Sequence, residues 1–224
     1  MVAVPEALTA IPGVRTAAQL REPADGDVLT VLPELARLLP GGGLRRGSTV
    51  AVRGARSLVL ALLAAATRNG SWAAVTGLPD LGLAAAAELG VDLARLALVP
   101  DPGAELVAVL SALVDGFDLV VLGPASVSPQ TARKLAGRVR NRGTVLLTAG
   151  SWPGADVELT VSGRRWHGLT QDGHGHLRSR EVQATSHGRG AAARPLTAAL
   201  QLPGPGGAVA EGNHPERRLV GVAG

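Results

Sequence analysis

Short aliphatic runs at residues 48–52, 72–76, 96–99, 119–122 and 144–148 alternate with helical patterns at 57–68, 80–89, 103–115 and 129–140. This alternation constrains the chain more than any other feature. A strand that is apolar along its whole length must be covered on both faces, and helices placed between successive strands supply that cover. The pattern therefore predicts an α/β domain with a mostly parallel sheet flanked by helices and joined by right-handed crossovers. Beyond Pro153 it changes. Residues 156–162, 165–170 and 176–183, separated by Gly163 and by Asp172-Gly173, read as antiparallel strands that extend one edge of the sheet.

The flanks read differently. Residues 1–29 form an N-terminal segment with a short helix expected at 14–21 and a linker at 23–27, and residues 32–39 read as a helical turn that stops at Pro40 and three glycines. The core is expected over 30–187. From Gly188 the chain is Gly, Pro, Ala and Arg with little periodicity, which predicts a disordered tail over 188–224, with short binding segments at 196–202 or 217–222. The 46% apolar content with one Phe, no Tyr and three Trp leaves the core to aliphatic side chains.

Without cysteine there is no disulfide framework, thiolate metal site or cysteine nucleophile, and the five histidines show no zinc spacing. No cofactor is expected. The N-terminus lacks a basic region followed by an apolar signal core, and no apolar run is long enough to span a bilayer, so a cytoplasmic, non-membrane protein is expected. A formal charge of +4, carried almost wholly by arginine with Lys134 as the single lysine, permits contact with nucleic acid or an acidic partner.

Residues 47–70 read as a strand, a tight turn and a buried helix. In a nucleotide-binding domain this unit carries the phosphate loop G-x-x-x-x-G-K-[ST], whose backbone N–H groups and lysine hold phosphates. Counted without gaps from Gly54, the second glycine, the lysine and the hydroxyl fall on Val59, Leu60 and Ala61. With a deletion in the loop, Ala55, Arg56 and Ser57 stand there instead. Neither register supplies the lysine.

Four stretches in order, at residues 39–54, 88–96, 100–105 and 132–147, resemble the core of the bacterial recombinase RecA. The resemblance spans about residues 30–185 and implies a RecA-like, P-loop NTPase-type fold with a degenerate phosphate loop. The carboxylate that would polarise the attacking water falls on Leu78, and the magnesium-linked aspartate falls on Gly123. Asp118 lies at the opposite end of that strand. Phosphoryl transfer needs neutralised charge, a held metal and an oriented water. The resemblance thus implies a pseudo-ATPase. Arg56 is expected as a solvated turn residue with Ser57 as helix N-cap, the alternative being an anion contact at that helix terminus. The recombinase's DNA-binding loops are also reduced, to 123–130 and 150–155.

Several surface candidates remain. Arg133, Lys134, Arg138, Arg140 and Arg142 form a basic helix, read either as a solvated face or as phosphate contacts. Trp152 stands as an exposed aromatic for a partner surface. Arg164, Arg165, Trp166 and His167 form a basic-aromatic cluster suited to stacking. In an alternating strand, however, Trp166 faces away from Arg165 and His167 and reads as a core or edge cover. His174 and His176 read as a plain hairpin. A short RecA-like core without ATPase residues resembles the accessory protein of bacterial mutagenesis cassettes, ImuA and its divergent relatives. That resemblance implies a non-catalytic adaptor in the DNA-damage (SOS) response and translesion synthesis, docking onto an ImuB-type polymerase-like protein, with RecA as a second candidate partner and weak nucleic-acid contact as a further option. The alternatives are a SulA-like inhibitor of cell division and a DNA-binding or ATP-hydrolysing RecA paralogue.

Overall fold

The computed structural model describes residues 27–170 and 172–212. The helix expected at 14–21 and the tail segment at 217–222 lie outside the described residues. The described chain forms an α/β structure around one nine-stranded sheet. A small antiparallel pair, β1 (Val28–Leu29) and β2 (Leu44–Arg45), brackets the short helix α1 (Pro33–Ala36). Next come β3 (Thr49–Arg53), α2 (Arg56–Arg68), β4 (Ala73–Thr76), α3 (Leu83–Glu88) and β5 (Leu96–Val99). They are followed by α4 (Leu106–Gly116), β6 (Leu119–Leu122), α5 (Pro129–Arg142) and β7 (Val145–Ala149). The chain continues through β8 (Val157–Leu169), β9 (Gly175–Gly188), β10 (Leu196–Gln201) and β11 (Ala210–Glu211).

The strand order is β11-β10-β9-β8-β3-β7-β6-β4-β5. From β8 to β5 all neighbours are parallel, and from β8 outward through β11 they are antiparallel. The five aliphatic runs thus occupy the parallel half. The stretches expected as separate strands at 156–162 and 165–170 are one strand, β8, interrupted by a bulge between Ser162 and Arg165, and its first part pairs parallel with β3 rather than antiparallel.

Alternation along the central strands fills two cores. Val50 and Val52 of β3, Leu119 and Val121 of β6, and Val145 and Leu147 of β7 pack with α2 and α3 on one face. Ala51, Val120, Leu122 and Leu146 pack with α4 and α5 on the other. This is the period-2 geometry of a strand buried on both sides. Alanines at 51, 61, 64, 73 and 74, all with no exposed surface, let helix and sheet approach closely.

Helix α2 is buried on every side. Its residues from Leu58 to Ala64, with Ala66 and Thr67, have almost no solvent contact, including positions that point away from the sheet. A helix that is apolar all round needs cover all round. Leu29, Val31, Leu35, Leu38 and Leu39 supply it from the N-terminal side, and Leu200, Leu202 and Val209 belong to the same core.

The tail expected to be disordered from residue 188 is therefore corrected over 188–212. Residues 196–201 pair with 181–186 as β10, and the Leu200 and Leu202 side chains are fully buried. Gly and Pro hid this strand because they lie in the turns around it, while its own residues, Leu-Thr-Ala-Ala-Leu-Gln, alternate between the core and the outer face.

Replacing Leu200 with Ala is expected to lower stability by about 2–5 kcal/mol, the range for a buried leucine. Denaturant unfolding followed by circular dichroism measures it. A change within experimental error would contradict the packing of β10 onto the α2 core.

Candidate functional site

The C-terminal ends of β3 and β7 lie side by side, and the chain leaves them toward opposite faces. After β3 it enters α2, and after β7 it turns to Trp152, which packs with α4 and α5. In open α/β sheets such a divergence opens the crevice in which ligands bind. Here the connection from β3 to α2 has two residues, Gly54 and Ala55. A turn this short has no backbone to wrap a phosphate. A hollow of about 340 Å³ remains beside Arg53, Gly54, Arg56 and Gly150.

Each position tied to nucleotide chemistry has a structural occupant. Gly54 has φ +91, and a Cβ there would collide with the backbone carbonyl of Val161 in β8, so the turn is pressed against the neighbouring strand. Gly123 is closed similarly. A Cβ on it would collide with the Gly77 carbonyl and lie 3.1 Å from Leu78 Cγ, leaving no room for a carboxylate. Leu78 is 6% exposed and belongs to the α2 core. Asp118, at the other end of β6, accepts hydrogen bonds from the Trp72 backbone N–H at 2.9 Å and from Arg46 Nη1 at 3.0 Å. It ties strand starts together.

Arg56 is exposed, as expected, and is the first residue of α2. Ser57 is not the N-cap. Ala55 holds that position without a side-chain hydrogen bond, and Ser57 Oγ instead accepts from Arg180 Nη2 of β9 at 2.9 Å. Arg180 Nε also donates to the Leu202 carbonyl at 2.7 Å. A cation from the antiparallel half thus reaches the first turn of α2, a link that sequence spacing could not reveal because the residues are 123 apart.

The basic helix α5 divides into two faces. Arg138 and Arg142 both reach Asp115 of α4, with Arg138 Nε at 2.7 Å and Arg142 Nε at 3.0 Å. The hydrogen bonds from Arg138, followed by those from Arg142, hold the Asp115 carboxyl down at about 2 against an ordinary value of 3.8. The same partnership raises Arg138. Arg133 and Arg140 instead line a groove of about 430 Å³ with Asp156 and Arg189, while Lys134 is exposed.

The aromatic expectations reverse. Trp152 is 3% exposed and packs in the α4–α5 core, because its short loop folds back over that face, so it offers no partner surface. Trp166, expected as cover, is 44% exposed with the Arg180 guanidinium 5.3 Å from its ring centre. The β8 bulge turns Trp166 toward the α2 side, where it stays part-exposed beside Arg180. Arg165 and His167 are exposed, and Arg164 lies in β8 with its side chain outside the described residues. Trp72, unremarked in the sequence, is 48% exposed at the start of β4 with Arg95 5.6 Å from its ring centre. His174 sits in a plain hairpin turn held by Thr170, and among the described residues no group of His, Cys, Asp or Glu could hold a metal ion. No described helix is long and apolar enough to cross a membrane.

A family model described as the MT3502 N-terminal domain matches residues 37–154. That segment holds the parallel strands β3 to β7 and ends before β8. The chain is also 45% identical over 129 residues to a Mycobacterium tuberculosis protein named Uncharacterized protein Rv3395c. The alignment covers 55% of this chain and 63% of that protein, so the chain spans less than two thirds of its relative.

Two outcomes are expected. Gly123→Ala should destabilise the fold by about 1–3 kcal/mol, the cost of overpacking against backbone, measured by denaturant unfolding. A neutral result would mean that the Gly77 contact is loose. Asp115 favours the folded state above its unfolded pKa, and this preference is lost as pH falls through about 2. Asp115→Asn should therefore lower the thermal midpoint at pH 7, with the difference shrinking below about pH 4 and vanishing near pH 2. A difference independent of pH would refute the ion-pair account.

Proposed function

Given that this chain belongs to the MT3502 N-terminal domain family, whose matched segment contains the closed crevice, we propose that it is a non-catalytic adaptor on a RecA-like scaffold. It acts in the cytoplasm in the DNA-damage response, in translesion synthesis and mutagenesis, and docks onto an ImuB-type polymerase-like protein, with RecA as a second partner. The observation that carries the non-catalytic part is the two-residue turn between β3 and α2, together with backbone and apolar packing at Gly54, Leu78 and Gly123. Supporting the scaffold assignment, the strand that leads into this turn is central, flanked on both sides by parallel strands. The placement in translesion synthesis comes from the resemblance of residues 39–54, 88–96, 100–105 and 132–147.

On this reading the loss of nucleotide chemistry is distributed over several positions. A lysine placed at residue 56 would still lack a loop, a metal carboxylate and a water-orienting carboxylate, each needed for phosphoryl transfer. With catalysis absent, selection acts on surfaces, and a rigid doubly covered sheet is a suitable frame for them.

The test has two arms. Calorimetric titration with ATP and magnesium should show no binding at millimolar concentration, and Arg56→Lys should gain no hydrolysis. Affinity capture by the full chain from DNA-damaged cells should recover a polymerase-like protein or a RecA-type recombinase. ATP turnover would overturn the non-catalytic reading, and capture of neither protein class would overturn the adaptor reading.

A further inference from the structure

Strand β8 pairs with β3 only as far as Thr160 with Arg53. It then runs nine residues farther to Leu169, about 30 Å at strand rise, accompanied only by β9. The β8–β9 hairpin is therefore an arm that projects past the end of the parallel sheet, on the crevice side. Every described side chain from Ser162 to Thr170 is exposed, as are His174, His176, Leu177 and Arg178. Trp166, Leu169 and Leu177 are 44, 54 and 49% exposed.

Charge on the arm is one-sided. Between residues 163 and 181 the sequence has four arginines, at 164, 165, 178 and 180, against Asp172 and Glu181. Trp166 lies opposite Arg180 and shares its face, and Arg178 is exposed two residues along β9, where the pairing register shifts. Glu181 lies opposite Arg165 on the other face, where it also contacts His167 at 3.3 Å. The Trp166 face thus combines a part-exposed aromatic ring with the Arg180 guanidinium, and the Arg180–Ser57 bond joins it to the first turn of α2, where Arg56 is exposed.

We propose that this arm, through Trp166 and Arg180 with the exposed Arg178 and Arg56 nearby, binds single-stranded nucleic acid, with a base stacked on Trp166 and phosphates on Arg178 and Arg56. Every base offers a π-face, and stacking on an aromatic ring beside a cationic track is how single strands are held without sequence preference. Arg180 is held by Ser57 and Leu202 over one side of the indole, which orients the ring before a strand arrives. Trp and Arg also recur at protein interfaces, but the four arginines of the arm stand against two carboxylates, an excess of positive charge that complements a polyanion. The inference goes beyond the adaptor reading and does not rest on it.

Fluorescence anisotropy of a labelled 20-residue oligothymidine, titrated with the full chain at 50–200 mM salt, tests it. Binding is expected to weaken with salt at a slope of about −0.7 per phosphate contacted. Trp166→Ala should weaken it by about tenfold or more, Trp166→Phe should retain most of it, and Arg178→Ala should reduce the slope by about 0.7. Absence of binding at 50 mM salt, or equal affinity for wild type and Trp166→Ala, would overturn the proposal. So would a Trp166→Ala variant that loses capture of a protein partner but keeps the oligonucleotide. Failure of oligonucleotide binding with partner capture intact would reject the arm's role and leave the adaptor reading standing.

Discussion

The burial of α2 on all sides is the interaction on which the rest of the structure depends. Its apolar positions do not form a stripe. They run round the helix, so the sheet covers one side and other parts of the chain must cover the rest. That demand places residues 28–44 over the helix from the N-terminal side and draws β10 and the segment to Val209 into the same core. At about 1.5–3 kcal/mol for each large aliphatic side chain taken out of water, this contact recruits flanking sequence that has little periodicity of its own. Thr67 shows how polar groups are accommodated there, with its hydroxyl donating to the Leu63 carbonyl at 2.9 Å and accepting from the Asp92 backbone N–H at 3.0 Å.

The same close packing shapes the crevice. A phosphate loop needs space between the central strand and its helix, whereas here α2 begins two residues after β3 and β8 presses on Gly54. On the other side of the crevice, the Gly77 and Gly123 backbones meet at the position to which the RecA resemblance assigns a metal-binding side chain. On the proposed non-catalytic reading, tight packing and the loss of nucleotide chemistry have one physical cause. Space removed at three points makes the sheet a denser scaffold, and the chain's most varied features lie on its outer surfaces.

Those surfaces are unequal. Arg138 and Arg142 are committed to Asp115 and lock α5 against α4. Arg133 and Arg140 share their groove with Asp156, whose carboxylate accepts the Thr49 N–H at 2.9 Å. The arm differs because β8 is 13 residues long where β3 is five. A strand that outruns its partner leaves the core, and from Ser162 onward its described side chains are exposed.

Much of the fold was legible in the sequence: the parallel strands, their order along the chain and the covering helices follow from where apolar residues recur, which is a local property. That Leu78 and Gly123 stand where the resemblance would place carboxylates was a reading of the sequence, and their close packing was visible only in the structure. What only the tertiary structure decided is what each side chain meets. Trp152 and Trp166 exchanged their expected roles because burial depends on which distant element folds over a residue: α4 and α5 lie beneath the short loop at 152, whereas Trp166 stands on the arm beside Arg180 and stays 44% exposed. Strand β10 became visible only when β9 offered it a partner. Sequence determined which segments could be strands and helices, because backbone periodicity is written residue by residue. Tertiary structure determined which surfaces remained open, because exposure belongs to pairs of segments far apart in the chain.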